Sequence, residues 1–189
     1  RGGISTRLVR ERPPVTTTDT TVTTTPGINF GWFDPVCQSF MVDQADGLYM
    51  TSLDLFFQTK DSAAPVTVQL RTMENGYPTS VVIPFGTSTV ASADISTSTD
   101  GSTATTFTFE APVFLNPYTE YAFCVLSNSK NYEMYTARMG QVTLDSSRLI
   151  SKQPYLGSMF KSQNSTTWTA EQNEDVKFTL NRAKFTTGT

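Results

Sequence analysis

The sequence predicts an all-β protein: an antiparallel β-sandwich, jelly-roll-like, carrying an extended N-terminal arm. Three observations lead there. Thr and Ser make up about a quarter of the 189 residues and aromatics 12%, while charged residues are only 16%. Such β-branched and aromatic side chains suit a pleated, half-buried surface. Apolar and polar residues alternate in several short runs, the period of a strand with one buried face. Gly, Pro, Asn and Asp punctuate these runs at spacings of about 10 to 20 residues, with no sustained helical period between them.

The arm comes first. Arg1 to Arg12 holds Arg1, Arg7, Arg10 and Arg12 against Glu11, and Pro13-Pro14 then leads into Val15 to Thr25, where eight of eleven residues are threonine. This stretch has too little apolar surface to offset its ordering entropy by itself. Residues 1–26 therefore read either as a solvated tail or as an arm that orders against another chain, with Arg7, Arg10 and Arg12 meeting acidic neighbours. The sandwich domain is placed at 27–189.

Within it, Leu53, Leu55 and Phe57 alternate with Ser52, Asp54 and Phe56, and Val66, Val68 and Leu70 alternate with Thr67, Gln69 and Arg71. Asn75-Gly76-Tyr77-Pro78 is a turn, with Gly supplying positive φ. Pro84 is expected to stop the run Val81-Val82-Ile83 or push it to a sheet edge, because proline cannot donate to a ladder. After the turn Asp100-Gly101, Phe107 and Phe109 alternate with Thr106, Thr108 and Glu110. Tyr121 to Leu126 is apolar throughout and predicts a central strand covered on both faces. Tyr132, Met134 and Thr136 suggest another strand, and Val176, Phe178 and Leu180 the last. Thr143 to Ser151, with Asp145 as cap, is a candidate short helix.

Composition excludes much chemistry. The chain has no histidine, which removes Ser-His-Asp and Cys-His catalysis and nearly every zinc site. A net charge of -3 lacks the basic stripe of a nucleic-acid binder. No apolar run approaches the ~20 residues of a membrane-crossing helix, so no membrane insertion is expected. The chain starts Arg-Gly-Gly without methionine or signal-like region, which reads as a processed product or a piece of something longer. Cys37 and Cys124 are too few for a disulfide framework; they read as core thiols in preference to a bridge.

Paired carboxylates are the catalytic machinery such a chain could mount. Asp43 and Asp46 share a loop, and Glu171, Glu174 and Asp175 precede the last strand. A glycosidase needs two carboxyl groups about 5 to 9 Å apart, but loop acids before Gly are mostly turn formers, and the expectation is no enzyme. The Asp43–Gly47 loop lacks the spacing of a calcium loop, and no phosphate-cradling glycine loop is present. No metal or cofactor is expected. Loop aromatics are the stronger cue: Trp32 precedes the first strand, and Trp168 follows the polar run 163–167. A Trp beside Asn164 and hydroxyls is the pattern for stacking a sugar ring, whereas a loop Trp also serves to plug the end of a sandwich. Asn164-Ser165-Thr166 also fits the glycosylation acceptor triplet.

Several segments, taken in order, resemble a known module. Asp34-Pro35-Val36-Cys37-Gln38-Ser39-Phe40, Leu53-Asp54-Leu55-Phe56-Phe57 with Lys60-Asp61, Pro65 to Arg71, and Asn75-Gly76-Tyr77-Pro78 resemble part of the large baseplate and tail-fibre-associated structural proteins of T4-like contractile-tailed bacteriophages. Gln153 to Asn164 with Trp168, then Glu174-Asp175-Val176-Lys177-Phe178, are similar to the end of that module, so the resemblance spans residues 34–182. It implies a non-enzymatic virion part within a longer polypeptide, with other virion subunits as partners. Cys37 departs from the apolar or small residue more typical there. Assembly in a reducing host cytoplasm also implies free thiols. The alternative function is a carbohydrate-binding module touching host-surface polysaccharide through Trp168, Trp32 and Asn164.

Overall fold

The computed structural model describes residues 33–144, 148–151 and 157–185. Twelve strands follow in chain order: β1 (Val36–Met41), β2 (Leu48–Thr59), β3 (Val66–Glu74), β4 (Tyr77–Val90), β5 (Ala104–Leu115), β6 (Glu120–Ser127), β7 (Glu133–Met134), β8 (Thr136–Arg138), β9 (Met159–Lys161), β10 (Thr169–Glu171), β11 (Glu174–Val176) and β12 (Phe178–Arg182). Among the described residues the only helical element is a single 3-10 turn, Ser92–Asp94.

Two antiparallel sheets face each other. One runs β10-β9-β1-β6-β3-β4; the other runs β12-β2-β5, with β7 added to β2, and β8 and β11 make a separate ribbon. The layers form because each strand presents one apolar row inward. Leu53, Leu55 and Phe57 from β2, Phe107 from β5, Val66, Val68 and Leu70 from β3, and Phe123 from β6 are all fully buried in one cluster. Phe123 meets Phe178 of the opposite sheet with ring centroids 4.9 Å apart, edge to face. Each such side chain contributes about 1.5–3 kcal/mol by leaving water. The all-β sandwich is thus as the alternation predicts.

Particular elements follow from particular residues. Asn75 (φ 52) and Gly76 (φ 80) are the two loop residues of the β3–β4 hairpin, the double positive-φ turn whose twist suits adjacent strands. β6 sits between β1 and β3, and every residue from Tyr121 to Ser127 is buried, as the all-apolar run requires. Pro84 does not end its strand. β4 lies at the sheet edge and bulges instead: Gln69 pairs with Thr87 while Arg71 pairs with Val82, leaving Ile83–Gly86 outside the ladder. Phe85 there takes a positive φ of 63.

One element goes beyond the alternation and one sequence reading is corrected. Val36–Met41 is a strand at the heart of the large sheet, though its run has no strict alternation. Burial on both faces of most of its residues explains this. The expected helix at 143–151 is not formed at its described ends: Val142 bridges antiparallel to Leu149, and Thr143 donates its N–H to the Arg148 carbonyl at 2.8 Å. The β-branched side chains of Val142 and Thr143 favour this hairpin. Asp145, the proposed cap, lies outside the described residues.

Candidate functional site

Arg7, Arg10, Arg12 and Trp32 lie outside the described residues. Trp168 is 7% exposed and packs with Phe160, Ala122, Cys37 and Cys124 in a second small core on the outer side of the large sheet. That overturns its reading as a sugar platform: the ring plugs the surface over the two cysteines, and no face of it is free to stack. The loop before it explains the burial. Asn164 Oδ1 accepts the N–H groups of Thr166 (3.0 Å) and Thr167 (2.8 Å) and the Ser162 hydroxyl (3.1 Å). Its amide is thus committed to an Asx turn that folds Trp168 back, with Nδ2 reaching Thr167 Oγ1 at 3.4 Å.

Cys37 and Cys124 form a disulfide, which corrects the reading as free thiols. They are register partners on β1 and β6, with Cα atoms 4.0 Å apart and neither side chain exposed. Sequence could not place residues 87 apart directly opposite each other.

The carboxylates do not converge on a cleft. Asp43 and Asp46 stand exposed in the β1–β2 loop. Glu174 and Asp175 are both buried, but as neighbours on β11 they bond to different elements. Glu174 Oε1 accepts the Thr136 hydroxyl at 2.7 Å and Oε2 lies 3.6 Å from Lys161 Nζ. Asp175 Oδ1 accepts an N–H of Gln38 at 2.9 Å, while Gln38 Oε1 accepts the Val176 N–H at 2.9 Å. One buried amide therefore fastens β11 to β1. Burial, assisted by the negative Glu174 and opposed by the Gln38 bond, pushes the Asp175 carboxyl up to about 6.

Asp61 works in the other direction. It accepts the N–H groups of Ala63 and Ala64 and bonds from Ser129 (2.6 Å) and Asn131 (2.7 Å). The Ala64 bond first, then Ser129, hold it well below the usual carboxylate range. It clips the β2–β3 turn to the β6–β7 loop. Among the described residues, no group of three or more His, Cys, Asp and Glu comes together as a metal site would need.

What stands out on the surface is apolar. β4 carries Val81 (59% exposed) just before its bulge and Phe85 (62%) within it, and the segment beyond β8 carries Val142, Leu144 and Leu149 (61%). A third patch is aromatic: Tyr49 of β2 lies 4.9 Å from Phe114 of β5 and 5.1 Å from Phe185 after β12, centroid to centroid. The first and third were not legible as sites, because one arises from a bulge and the other from pairing of segments remote in sequence. In comparisons with protein-family models, curated proteins and solved structures, nothing matches the chain.

Proposed function

We propose that this chain is a non-enzymatic structural module of a large assembly, acting through protein–protein contacts, and that the assembly is a bacteriophage virion of tail, baseplate or fibre-associated type. The observation that supports the contact reading is the pair of apolar protrusions. Phe85 on the β4 bulge, Val81 just before it and Leu149 in the segment beyond β8 stand more than half exposed, on backbone fixed by neighbouring pairings. Exposed apolar groups held on defined structure are what an interface requires. The virion setting rests on the resemblance of the ordered segments between residues 34 and 182.

In this reading the partners are other virion subunits, the place of assembly is the host cytoplasm, and Arg7, Arg10 and Arg12 dock the arm on a neighbour. The sandwich is the rigid spacer, strapped by its disulfide. Oxidation of Cys37 and Cys124 then follows release into an oxidising medium.

Phe85→Asp combined with Leu149→Asp tests the proposal. Both positions are exposed, so the melting temperature should change by less than about 2 °C. Incorporation into particles, followed by co-sedimentation, should fall at least tenfold. Undiminished incorporation of a folded double variant overturns the assignment of these protrusions.

A further inference from the structure

The outer face of the smaller sheet sets an aromatic row beside polar ones. Three strands contribute rows that run across it. In the first row Tyr49 pairs with Phe114 in register, and Phe185 closes on Tyr49 from β12's far end, its backbone approach fixed by the bond from the Ala183 N–H to the Tyr49 carbonyl at 2.8 Å. The rings are 42%, 44% and 70% exposed. Two polar rows follow. Asn181 pairs with Ser52 and Ser52 with Thr108; Thr179 pairs with Asp54 and Asp54 with Thr106. Inward neighbours Leu53, Phe107 and Leu180 are buried, so alternation puts Asp54, Thr106 and Asn181 on the outer face.

These polar groups are already ordered. Asp54 Oδ1 accepts the Thr106 hydroxyl at 2.6 Å, and Oδ2 accepts from Asn181 Nδ2 at 3.1 Å. The aromatic row is ordered too. Gly47, at φ +70, lies so close that an added Cβ would fall 2.9 Å from the Phe114 ring and 2.5 Å from the Leu115 carbonyl oxygen. Only glycine lets the β1–β2 loop seat that ring.

We infer that this face is a glycan-binding surface, with the Tyr49–Phe114–Phe185 row seating a pyranose ring and the Asp54–Asn181–Thr106 network meeting the hydroxyls of the sugars that follow. Apolar ring faces next to preordered planar acceptors and donors match a sugar, which offers an apolar face and a rim of hydroxyls. The ring planes differ by 48° and 83°, which makes an angled seat for one ring instead of a flat strip. From Tyr49 to Asp54 the strand runs at most ~16 Å at ~3.3 Å per residue, room for a short oligosaccharide. Charge selects its class. β2 and β5 contain no Lys or Arg, and Asp54 and Glu110 are acidic; Arg182 and Lys184 stand at one end of β12, while Lys177 at the other is held over the Phe56 ring at 4.2 Å and donates to the Gly101 carbonyl at 2.7 Å. The ligand is therefore a neutral oligosaccharide in preference to a polyanion.

The test is calorimetric titration of the full chain with neutral gluco-, galacto-, manno- and chito-oligosaccharides, with polygalacturonate as the anionic arm. At least one neutral class should saturate at one site per chain. Tyr49→Ala and Phe185→Ala should each weaken it by about tenfold or more, the worth of roughly one stacking contact, while Tyr49→Phe stays within threefold. The 70% exposure of Phe185 keeps folding out of the result, since its loss should leave the melting temperature unchanged. No saturable binding to any neutral class, binding of the anionic arm alone, or unchanged affinity in both alanine variants overturns the inference. If those variants instead abolish co-sedimentation with particles and no glycan binds, the row is a protein interface and the glycan assignment is wrong.

Discussion

Replacing Asp175 with Asn should stabilise the protein, and do so in a pH-dependent way. The carboxyl is 6% exposed, and burial raises it from an ordinary carboxylate value to about 6. A tenfold change in a protonation equilibrium corresponds to about 1.4 kcal/mol. Ionising Asp175 in the fold thus costs about 3 kcal/mol, net of the Gln38 bond, which an Asn oxygen can also accept. Linkage sets the sign. Between the unfolded value near 4 and the folded value near 6, the folded state binds more protons. The cost is absent below pH 4, grows as pH rises, and is complete above 6. The groups that act on this carboxyl are Gln38 on β1, which donates to it, and Glu174 beside it on β11. Differential scanning calorimetry of both proteins from pH 4 to 8 should give equal melting temperatures at pH 4. The Asp175→Asn variant should then gain about 6–12 °C by pH 7. A difference that is flat with pH, or a variant less stable at pH 7, refutes the buried-carboxylate reasoning.

Other expectations follow from single contacts. Cys37→Ala with Cys124→Ala should cost about 4 kcal/mol in chemical denaturation, since the bridge closes a loop of separation 87, and the folded wild type should resist reductant because both sulfurs are buried. Trp168→Ala should cost about 3–5 kcal/mol as a core plug; a loss below about 1 kcal/mol would mark the ring as exposed. Asp61→Ala should destabilise at neutral pH, and the deficit should shrink as pH falls below about 4, where the wild-type carboxyl loses its advantage on protonation. Deleting residues 1–26 should leave the melting temperature unchanged, because so Arg- and Thr-rich a stretch has too little apolar surface to contribute to a core; unfolding of the truncated chain would make the arm part of the core.

Local signals survived into the structure and long-range ones did not. The Asn75-Gly76 hairpin, the all-buried β6 and the alternating β2, β3 and β5 were readable because period and turn chemistry act within a few residues. Pro84 was readable as an edge signal, and the bulge is how the strand absorbs it. The Cys37–Cys124 bridge, the Gln38–Asp175 clasp and the Tyr49–Phe114–Phe185 row join residues that only sheet register brings together. Trp168 failed as a sugar platform for the same reason: a polar loop sequence describes the turn at Asn164, and the partner face beneath the ring comes from β1, β6 and β9. The short helix at 143–151 failed because pairing across Val142 and Leu149 outweighs a weak capping signal.

The proposal of a contact-making structural module is tested most directly by hydrogen exchange on the full chain, free and co-sedimented with assembled particles. Amides of the β4 bulge at 81–86 and of the hairpin around 142 and 149 should gain protection in the particle, while β6, already central, stays unchanged. A chain that never associates, or associates with no protection at either protrusion, contradicts it.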